Sequence, residues 1–533
     1  MTCRWLFLFF LMLTSLPASA VNAADNEIAS QLRRLSVARS VGTETLHYSS
    51  SLTRFYRERQ FQPAWSDGRQ LFATAEELLA AIPAAAGEGL DPRNYHLAAV
   101  NDRSRLFRIT PTPQLAAELD LLLSDAFMAL SSHYLNGRVV PAQVDTDWHI
   151  PREEADPLRM LKQALDSGRI RDSLQALLPP DPAYAALRSA WQDLQLIAAV
   201  GGWPQLAFKL PLRPGASGAE VVALRQRLVA SGDLPAAEGP GETFDASLEA
   251  AVWRFQNRHG LVADRIIGPQ TLAALNVSAA VRARQLAVNL ERWRWLPRSF
   301  GDRHLRVNLP AFHLEVIEKG EWILDMRVIV GRQVRQTPAF VGRMTYLVLN
   351  PYWEVPPRLA VLDLLPKIQA DVGYLAKNGI KVFTRPGGTL LNPANIDWQQ
   401  LGAGNFPYHL RQDPGPKNAL GRIKFMFPNR YMIYLHDTPT PMLFEREQRS
   451  FSSGCIRIEK PFALAQFLLQ GTPLALPSAL TEVLKNANNQ TVLLPTPIPV
   501  YLLYFTAWVE VDGTLNFRSD LYQRNHRLDR ALQ

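Results

Sequence analysis

A chain of 533 residues with a net charge of +8 and two cysteines excludes several classes at once. The length suits roughly three domains, and the positive excess is thin over so many residues. With no dense Lys/Arg cluster it does not fit nucleic acid, but it would suit an anionic polymer or a phospholipid surface.

In chain order, Met1 to Arg4 carry one positive side chain, and Trp5 to Leu13 are unbroken apolar sequence. Ala18-Ser19-Ala20 and Val21-Asn22-Ala23 each offer an A-x-A-like cleavage site, so residues 1–23 read as a secretory signal peptide. Export is the expectation. The apolar run is too short to span a bilayer, and later apolar stretches such as 500–509 are interrupted by Tyr and Thr and read as strands. No integral membrane span is expected after signal cleavage. Cys3 lies in the leader, which leaves Cys455 alone and rules out an internal disulfide. A lone thiol in an exported chain reads as a reactive cysteine or an intermolecular partner, or as a small buried hydrophobe.

Residues 26–210 are predicted to form a helical scaffold domain, with Leu115, Leu119, Leu122, Ala126 and Leu130 at helical spacing. Pro-rich breaks at 179–182 and 212–215 punctuate it. His96, His133 and His149 show no metal-ligand spacing and read as surface or core histidines. Residues 212–276 form a compact helical unit. It has Val221, Leu224 and Leu228 at helical spacing, Gly232 as a C-cap, then Phe244, Val252, Phe255-Gln256 and Gly268-Pro269-Gln270-Thr271-Leu272. This pattern resembles the small three-helix peptidoglycan-binding module of wall hydrolases. Arg265 departs from it, standing after Asp264 where the module has Gly. The alternative is a helical spacer without affinity of its own.

A connecting helix is expected within 279–300. Beyond it the period changes to two. Strands are predicted at 304–308, 313–317, 322–330 and 346–350, opening a β-rich domain over 302–477. Within it, 356–410 interrupts the strand pattern with helical and Gly/Pro-rich sequence, and an insertion of that length reads as a cap over a site. Residues 486–533 read as a C-terminal extension with one or two late strands. The fold class is therefore multi-domain α+β.

The chemistry gathers between 431 and 459. The run Tyr431-Met432-Ile433-Tyr434-Leu435-His436 reads as a strand with Tyr434 and His436 on one face. Cys455 follows in Phe451-Ser452-Ser453-Gly454-Cys455-Ile456-Arg457-Ile458, ahead of a short apolar helix opened by Pro461. Acyl transfer through cysteine needs a thiolate, a base to generate it, and donors for the oxyanion. His436 is the candidate base, able to lower the thiol pKa through an ion pair. Backbone N–H groups around Gly454-Cys455 are the candidate oxyanion donors. Without Cys455, His436 would read as a core or surface histidine. Asp437 would point to the opposite face of the strand, which favours a backbone carbonyl or a hydroxyl as the group orienting His436. No H-E-x-x-H or similar ligand set occurs, so neither a metal nor another cofactor is expected.

The block His436…Ser452-Ser453-Gly454-Cys455-Ile456-Arg457 resembles the L,D-transpeptidase (YkuD-like) signature, whose spacing the 15 residues between His436 and Ser452 fit. Ser453 replaces the second histidine of the family pattern, and Arg457 replaces the Asn of many members. Both substitutions, and the order of helical scaffold, peptidoglycan-binding module, catalytic domain with capping segment and short extension, are similar to the large periplasmic YcbB-type branch. Further matching stretches are Asn350-Pro351-Tyr352-Trp353-Glu354-Val355-Pro356 and Pro414-Gly415-Pro416-Lys417-Asn418-Ala419-Leu420-Gly421.

The resemblance implies a β-rich L,D-transpeptidase domain in the periplasm of a Gram-negative bacterium. Cys455 would attack the third stem residue, a meso-diaminopimelate, and expel D-alanine, with His436 as base. A second diaminopimelate would accept the acyl group in a 3-3 cross-link. Tyr434, Ser452, Ser453, Gly454 and Arg457 would shape the pocket or donate hydrogen bonds. Arg457 would pair with a substrate carboxylate or, alternatively, with Glu459 in a structural salt bridge. Peptidoglycan is the implied partner, and carbapenem-type β-lactams the implied inhibitors. Water as acceptor would give an L,D-carboxypeptidase, and a lysine amine would attach a protein to the wall. A non-catalytic wall-binding scaffold is the rival from another class, and the presence of both His436 and Cys455 argues against it.

Overall fold

The computed structural model describes residues 18–385, 388–486 and 488–533. Of the leader read at 1–23, residues 1–17 lie outside the described residues, and helix α1 (Ala18–Leu35) begins within its end. Among the described residues no helix is long and apolar enough to cross a membrane. The chain divides into two compact units, one of residues 1–138 and 153–184, the other of 139–152 and 185–533.

The first unit is helical, built from α1, α2 (Ser49–Glu58), α3 (Ala73–Ala84), α4 (Leu97–Ile109), α5 (Pro113–Asn136) and α6 (Pro157–Ser167). Thr112 caps α5 by accepting the Leu115 N–H at 3.2 Å, with Pro113 at the first helical position. The stripe Leu119, Leu122, Ala126 and Leu130 is buried as its period requires. Leu121, Leu123 and Phe127, off that stripe, are buried too, because the other helices surround α5. Asp120 in its middle accepts the N–H groups of Ala64 and Trp65 and the Tyr56 hydroxyl, and burial pushes its carboxyl up to about 6.

Residues 139–152 leave this unit, although they were read as part of the scaffold. They form one helical turn, Pro141–Val144, within irregular chain, and their polar groups are met in the second unit. The Val139 N–H donates to Glu291 at 2.8 Å, the His149 N–H donates to the Ala339 carbonyl at 2.7 Å, and Trp148 meets Trp295 edge-on at 5.1 Å.

In the second unit, α7 (Ala219–Ala230), α8 (Ala246–Arg258) and α9 (Pro269–Leu275) enclose a core of Val221, Leu224, Leu228, Phe244, Val252 and Phe255. Arg265 takes the left-handed conformation, with φ +64°, that Gly adopts more cheaply. The turn survives because its N–H donates to Gln256 Oε1 at 2.8 Å. Helix α10 (Ala279–Arg294), predicted as a connector, is buried along its second half. Its Asn289 clamps Thr506, accepting the backbone N–H at 2.9 Å and donating to the hydroxyl at 3.0 Å.

The strands of the main sheet and its insertion are β1 (Arg303–Asn308), β2 (His313–Glu318), β3 (Glu321–Gly331), β4 (Val341–Leu349), β5 (Trp353–Glu354), β6 (Ile380–Thr384), β7 (Leu390–Leu391), β8 (Tyr408–Gln412), β9 (Ile423–Met426), β10 (Leu435–His436), β11 (Ser450–Ser452), β12 (Ile456–Ile458) and β13 (Gln490–Leu503). Nine of them form one sheet in the order β11-β3-β12-β10-β9-β4-β13-β1-β2. It closes on itself because β3 is long enough to pair with β2 at one end and with β12 at the other.

Three sequence expectations change here. The extension at 486–533 is part of the catalytic sheet, since β13 lies between β4, antiparallel, and β1, parallel. The strand expected at 431–436 shortens to Leu435–His436, because Asn429 caps a turn and Met432 takes φ +57°. The insertion is wider than 356–410: the chain leaves the sheet at Leu349 and returns at Ile423. It is a folded cap with its own sheet, β5-β8-β6-β7, over a core that includes Val355, Leu364, Ile368, Val382 and Leu410. The two motif stretches 350–356 and 414–421 form its stalks, joined by Asn350 N–H to Arg422 O at 2.8 Å and Asn418 Nδ2 to Pro351 O at 2.9 Å.

Candidate active site

Strands β10 and β12 run parallel and side by side, with Leu435 opposite Ile456 and His436 opposite Arg457. The Ile456 N–H donates to the Tyr434 carbonyl at 3.1 Å. This pairing brings Tyr434, His436, Ser452, Ser453, Gly454, Cys455 and Arg457 to the wall of one cavity of about 1520 Å³, roofed by residues of the cap. Gly454 has φ +120°, a conformation that suits Gly alone, and lets the loop turn just ahead of the cysteine. Its N–H donates to Ser452 Oγ at 3.1 Å, while its carbonyl accepts the Thr337 hydroxyl at 2.7 Å.

His436 is buried, and its Nδ1 lies 2.6 Å from the carbonyl of Asp437. A carbonyl only accepts, so Nδ1 carries the proton and Nε2 keeps its lone pair. The Asp437 carboxylate turns away and takes the N–H groups of Arg422 and Thr438. Burial, followed by the nearby Arg457 cation, drives the imidazole down to about 3. His436 is therefore neutral throughout the physiological range.

That direction runs against the ion pair expected from the sequence. Burial first, and then the Arg457 and Lys424 cations, disfavour the imidazolium of an imidazolium–thiolate ion pair. Burial also pushes the Cys455 thiol up, against the lowering effect of Tyr434, Lys424 and Arg457. The half-buried Cys455 Sγ faces the Met432 carbonyl at 3.6 Å, not the imidazole.

Tyr434 neighbours both groups, with its ring 5.7 Å from that of His436 and its side chain against the Cys455 sulfur. The Lys424 ammonium lies over the Tyr434 face at 4.0 Å. Lys424 was not singled out from the sequence. Its signal was a lone charge in the apolar strand Ile423-Lys424-Phe425, and its register opposite His436 on β9 explains it. The alternative pairing of Arg457 with Glu459 does not occur. Arg327 takes Glu459, with Nε to Oε1 at 3.0 Å, and among the described residues Arg457 makes a weak 3.4 Å bond to Thr440 Oγ1.

The histidines of the helical unit go elsewhere. Among the described residues, His47, His96 and Asp125 come within reach of a single ion. The Asp125 carboxylate is already filled by the N–H groups of His47 and Tyr48 and by His96 Nε2 at 2.9 Å, and His96 Nδ1 is bound to Glu44. The cluster ties the chain ahead of α2 to α5.

Three family models match separate stretches of the chain. The model described as "L,D-transpeptidase catalytic domain" (YkuD) matches residues 302–476. The chain carries a YkuD L,D-transpeptidase catalytic domain. The model described as "Scaffold domain" matches 50–190, and that described as "Putative peptidoglycan binding domain" matches 217–275. A Haemophilus influenzae protein named "Putative L,D-transpeptidase" is 38% identical over 255 residues, covering 46% of this chain and 49% of that protein. The chain thus spans about half the length of the curated relative it matches. Crystal structures of L,D-transpeptidases from Xylanimonas cellulosilytica and Stackebrandtia nassauensis are similar at 17% and 16% identity, each over 56% of this chain and over 100% and 96% of theirs. Their TM-scores are 0.18 and 0.21, too low to add to the assignment. The L,D-transpeptidase domain so identified ends at 476, short of β13, because β13 joins the sheet only in three dimensions.

Proposed function

We propose that this chain is an exported peptidoglycan L,D-transpeptidase that joins two diaminopimelate residues in a 3-3 cross-link through a thioester on Cys455. The observation that carries the reading is the parallel pairing of β10 and β12, which sets Cys455 and His436 on one cavity wall. The donor stem enters below the cap, and its third residue presents a carbonyl to Sγ. The thiol turns from the Met432 carbonyl to His436 Nε2, which takes its proton as Sγ attacks. Since the Gly454 N–H is committed to Ser452, the Cys455 N–H is the donor of that pair left for the oxyanion. The terminal D-alanine leaves as a free amine with the proton from His436. The amine of a second diaminopimelate then attacks the thioester, gives its proton to His436 and releases the thiol. Arg457, Lys424 and the cavity's other cations suit the carboxylates of such stems.

The domain division this implies is a signal at 1–23, a scaffold within 26–184 from which 139–152 depart, a wall-binding module at 212–276, and a catalytic domain beginning near 302, in the periplasm. Incubation with disaccharide-tetrapeptides tests the acceptor. A cross-linked dimer supports the transpeptidase, tripeptide alone the L,D-carboxypeptidase, and a lysine adduct wall attachment.

A neutral imidazole beside a neutral thiol also fixes the pH dependence. The reactive protonation state persists from well below pH 5 up to the raised thiol pKa. Acylation of Cys455 by a carbapenem is therefore expected to change less than about threefold between pH 5 and 8. A bell with an acid limb near 6.5, read by stopped-flow, would restore the ion pair. For the module, Trp253 lies exposed on α8, a flat apolar face suited to a sugar ring. Trp253→Ala is expected to cut co-sedimentation with sacculi several-fold, and unchanged retention would make the module a spacer.

A further inference from the structure

The cap and the cysteine loop are tied together by one side chain. Arg335 stands in the turn between β3 and β4 and is mostly buried. Its Nη1 donates to Ser453 Oγ at 2.9 Å, two residues before Cys455. The same guanidinium grips Asp363 of the cap in a bidentate pair, with Nη2 to Oδ1 at 2.7 Å. Asp363 lies in a π-turn, Ala360–Leu364, within the cap's separate core.

The turn that carries Arg335 is a rigid base. The Arg332 N–H donates to Ser452 O at 3.1 Å, the Thr337 hydroxyl holds Gly454 O, and the Tyr522 hydroxyl donates to Gly331 O at 2.6 Å. A Cβ on Gly331 would meet the Arg335 carbonyl at 2.2 Å, so the turn has no slack. Of the two side chains that Arg335 joins, Asp363 is the one that belongs to the cap, a body with a core of its own. If the cap moves, Asp363 leaves, and Arg335 is the element that reports its departure to Ser453.

We propose that Arg335 is a positioning residue that makes the geometry of the Ser452–Cys455 loop depend on a docked cap, through simultaneous bonds to Asp363 and Ser453. The inference rests on reading Cys455 as the acylated nucleophile. It gives the enzyme a reason to withhold a competent thiol until donor stem and cap are both in place, which protects the thioester from water. Ser453, standing where related sequences have a histidine, thereby acquires a role as acceptor of this link.

The test uses the full chain with Asp363→Asn, Arg335→Lys and the double variant. Arg335→Lys keeps the charge but cannot hold both partners in a planar fork. Three readouts are taken: amide hydrogen exchange at 451–455, acylation by meropenem, and alkylation of Cys455 by iodoacetamide. Each single variant is expected to speed exchange at 451–455 and to slow acylation about tenfold or more, as a small misplacement of a reacting group does. Alkylation, which needs no aligned pocket, should stay within about twofold. The double variant should be no slower than the worse single one, since the link is broken once. Unchanged exchange and acylation in Asp363→Asn would overturn the proposal, reducing the pair to a surface contact. Losses that multiply in the double variant, or alkylation falling as far as acylation, would overturn it as well. If even the unaltered protein is not acylated while Asp363→Asn still speeds exchange at 451–455, the link stands and the proposed function fails.

Discussion

Cys455→Ala is expected to lower cross-linking by at least about 1,000-fold, roughly 4 kcal/mol of transition-state stabilisation, while the fold is kept. The substitution removes one sulfur atom from a half-buried position. It leaves intact the β10–β12 pairing and the Thr337 and Ser452 bonds that shape the loop. Neither of the two rings beside the thiol replaces it. His436 is neutral with its Nδ1 committed, and Tyr434 is a buried phenol held well above its ordinary pKa by desolvation and by the sulfur beside it. Intact-protein mass after meropenem gives the direct check. An adduct on the unaltered chain and none on the variant is the expected pair. Cross-linking that survives the substitution would sink the mechanism.

The second large effect concerns the end of the chain. Stopping the protein after Asn486 is expected to unfold the catalytic sheet, although the residues removed follow the recognised catalytic domain. β13 bonds to β4 on one side and β1 on the other, so its loss would open the closed sheet and orphan both ladders. Ile498, Val500, Tyr501, Leu502 and Leu503 are buried in it. At about 2 kcal/mol each they match the whole stability of an ordinary domain. The same cut removes Tyr522, Arg524 and Thr506, which hold the Arg335 turn and α10. The helical unit of 1–138 and 153–184 keeps its own core and should retain its helical circular dichroism. A truncated chain that is soluble, melts cooperatively and still takes up meropenem would disprove the requirement for β13.

What was legible in the sequence was local. Helical spacing in 115–130 marked α5, period two marked β1 to β4, and the residues around Cys455 and His436 marked the candidate site that the fold gathers on one cavity wall. The left-handed turn at Arg265 also fell where the sequence departed from the module's pattern. These features depend on neighbours within a few residues, where chain geometry alone sets spacing and turn. The charge state of His436 was not legible, because it follows from burial and from Arg457 and Lys424 on other strands. Arg335, Thr337 and Lys424 escaped notice for the same reason: their partners lie 12 to 118 residues away. The segment 486–533 looked like an appendage because its Pro residues and irregular spacing conceal a strand whose partners come before it in the chain. Sequence by itself thus determined the kinds of domain and singled out the candidate reacting groups. Only the tertiary structure decided which strands complete the sheet, which proton His436 carries and what the cap holds, since each depends on desolvation and on contacts between segments far apart in the chain.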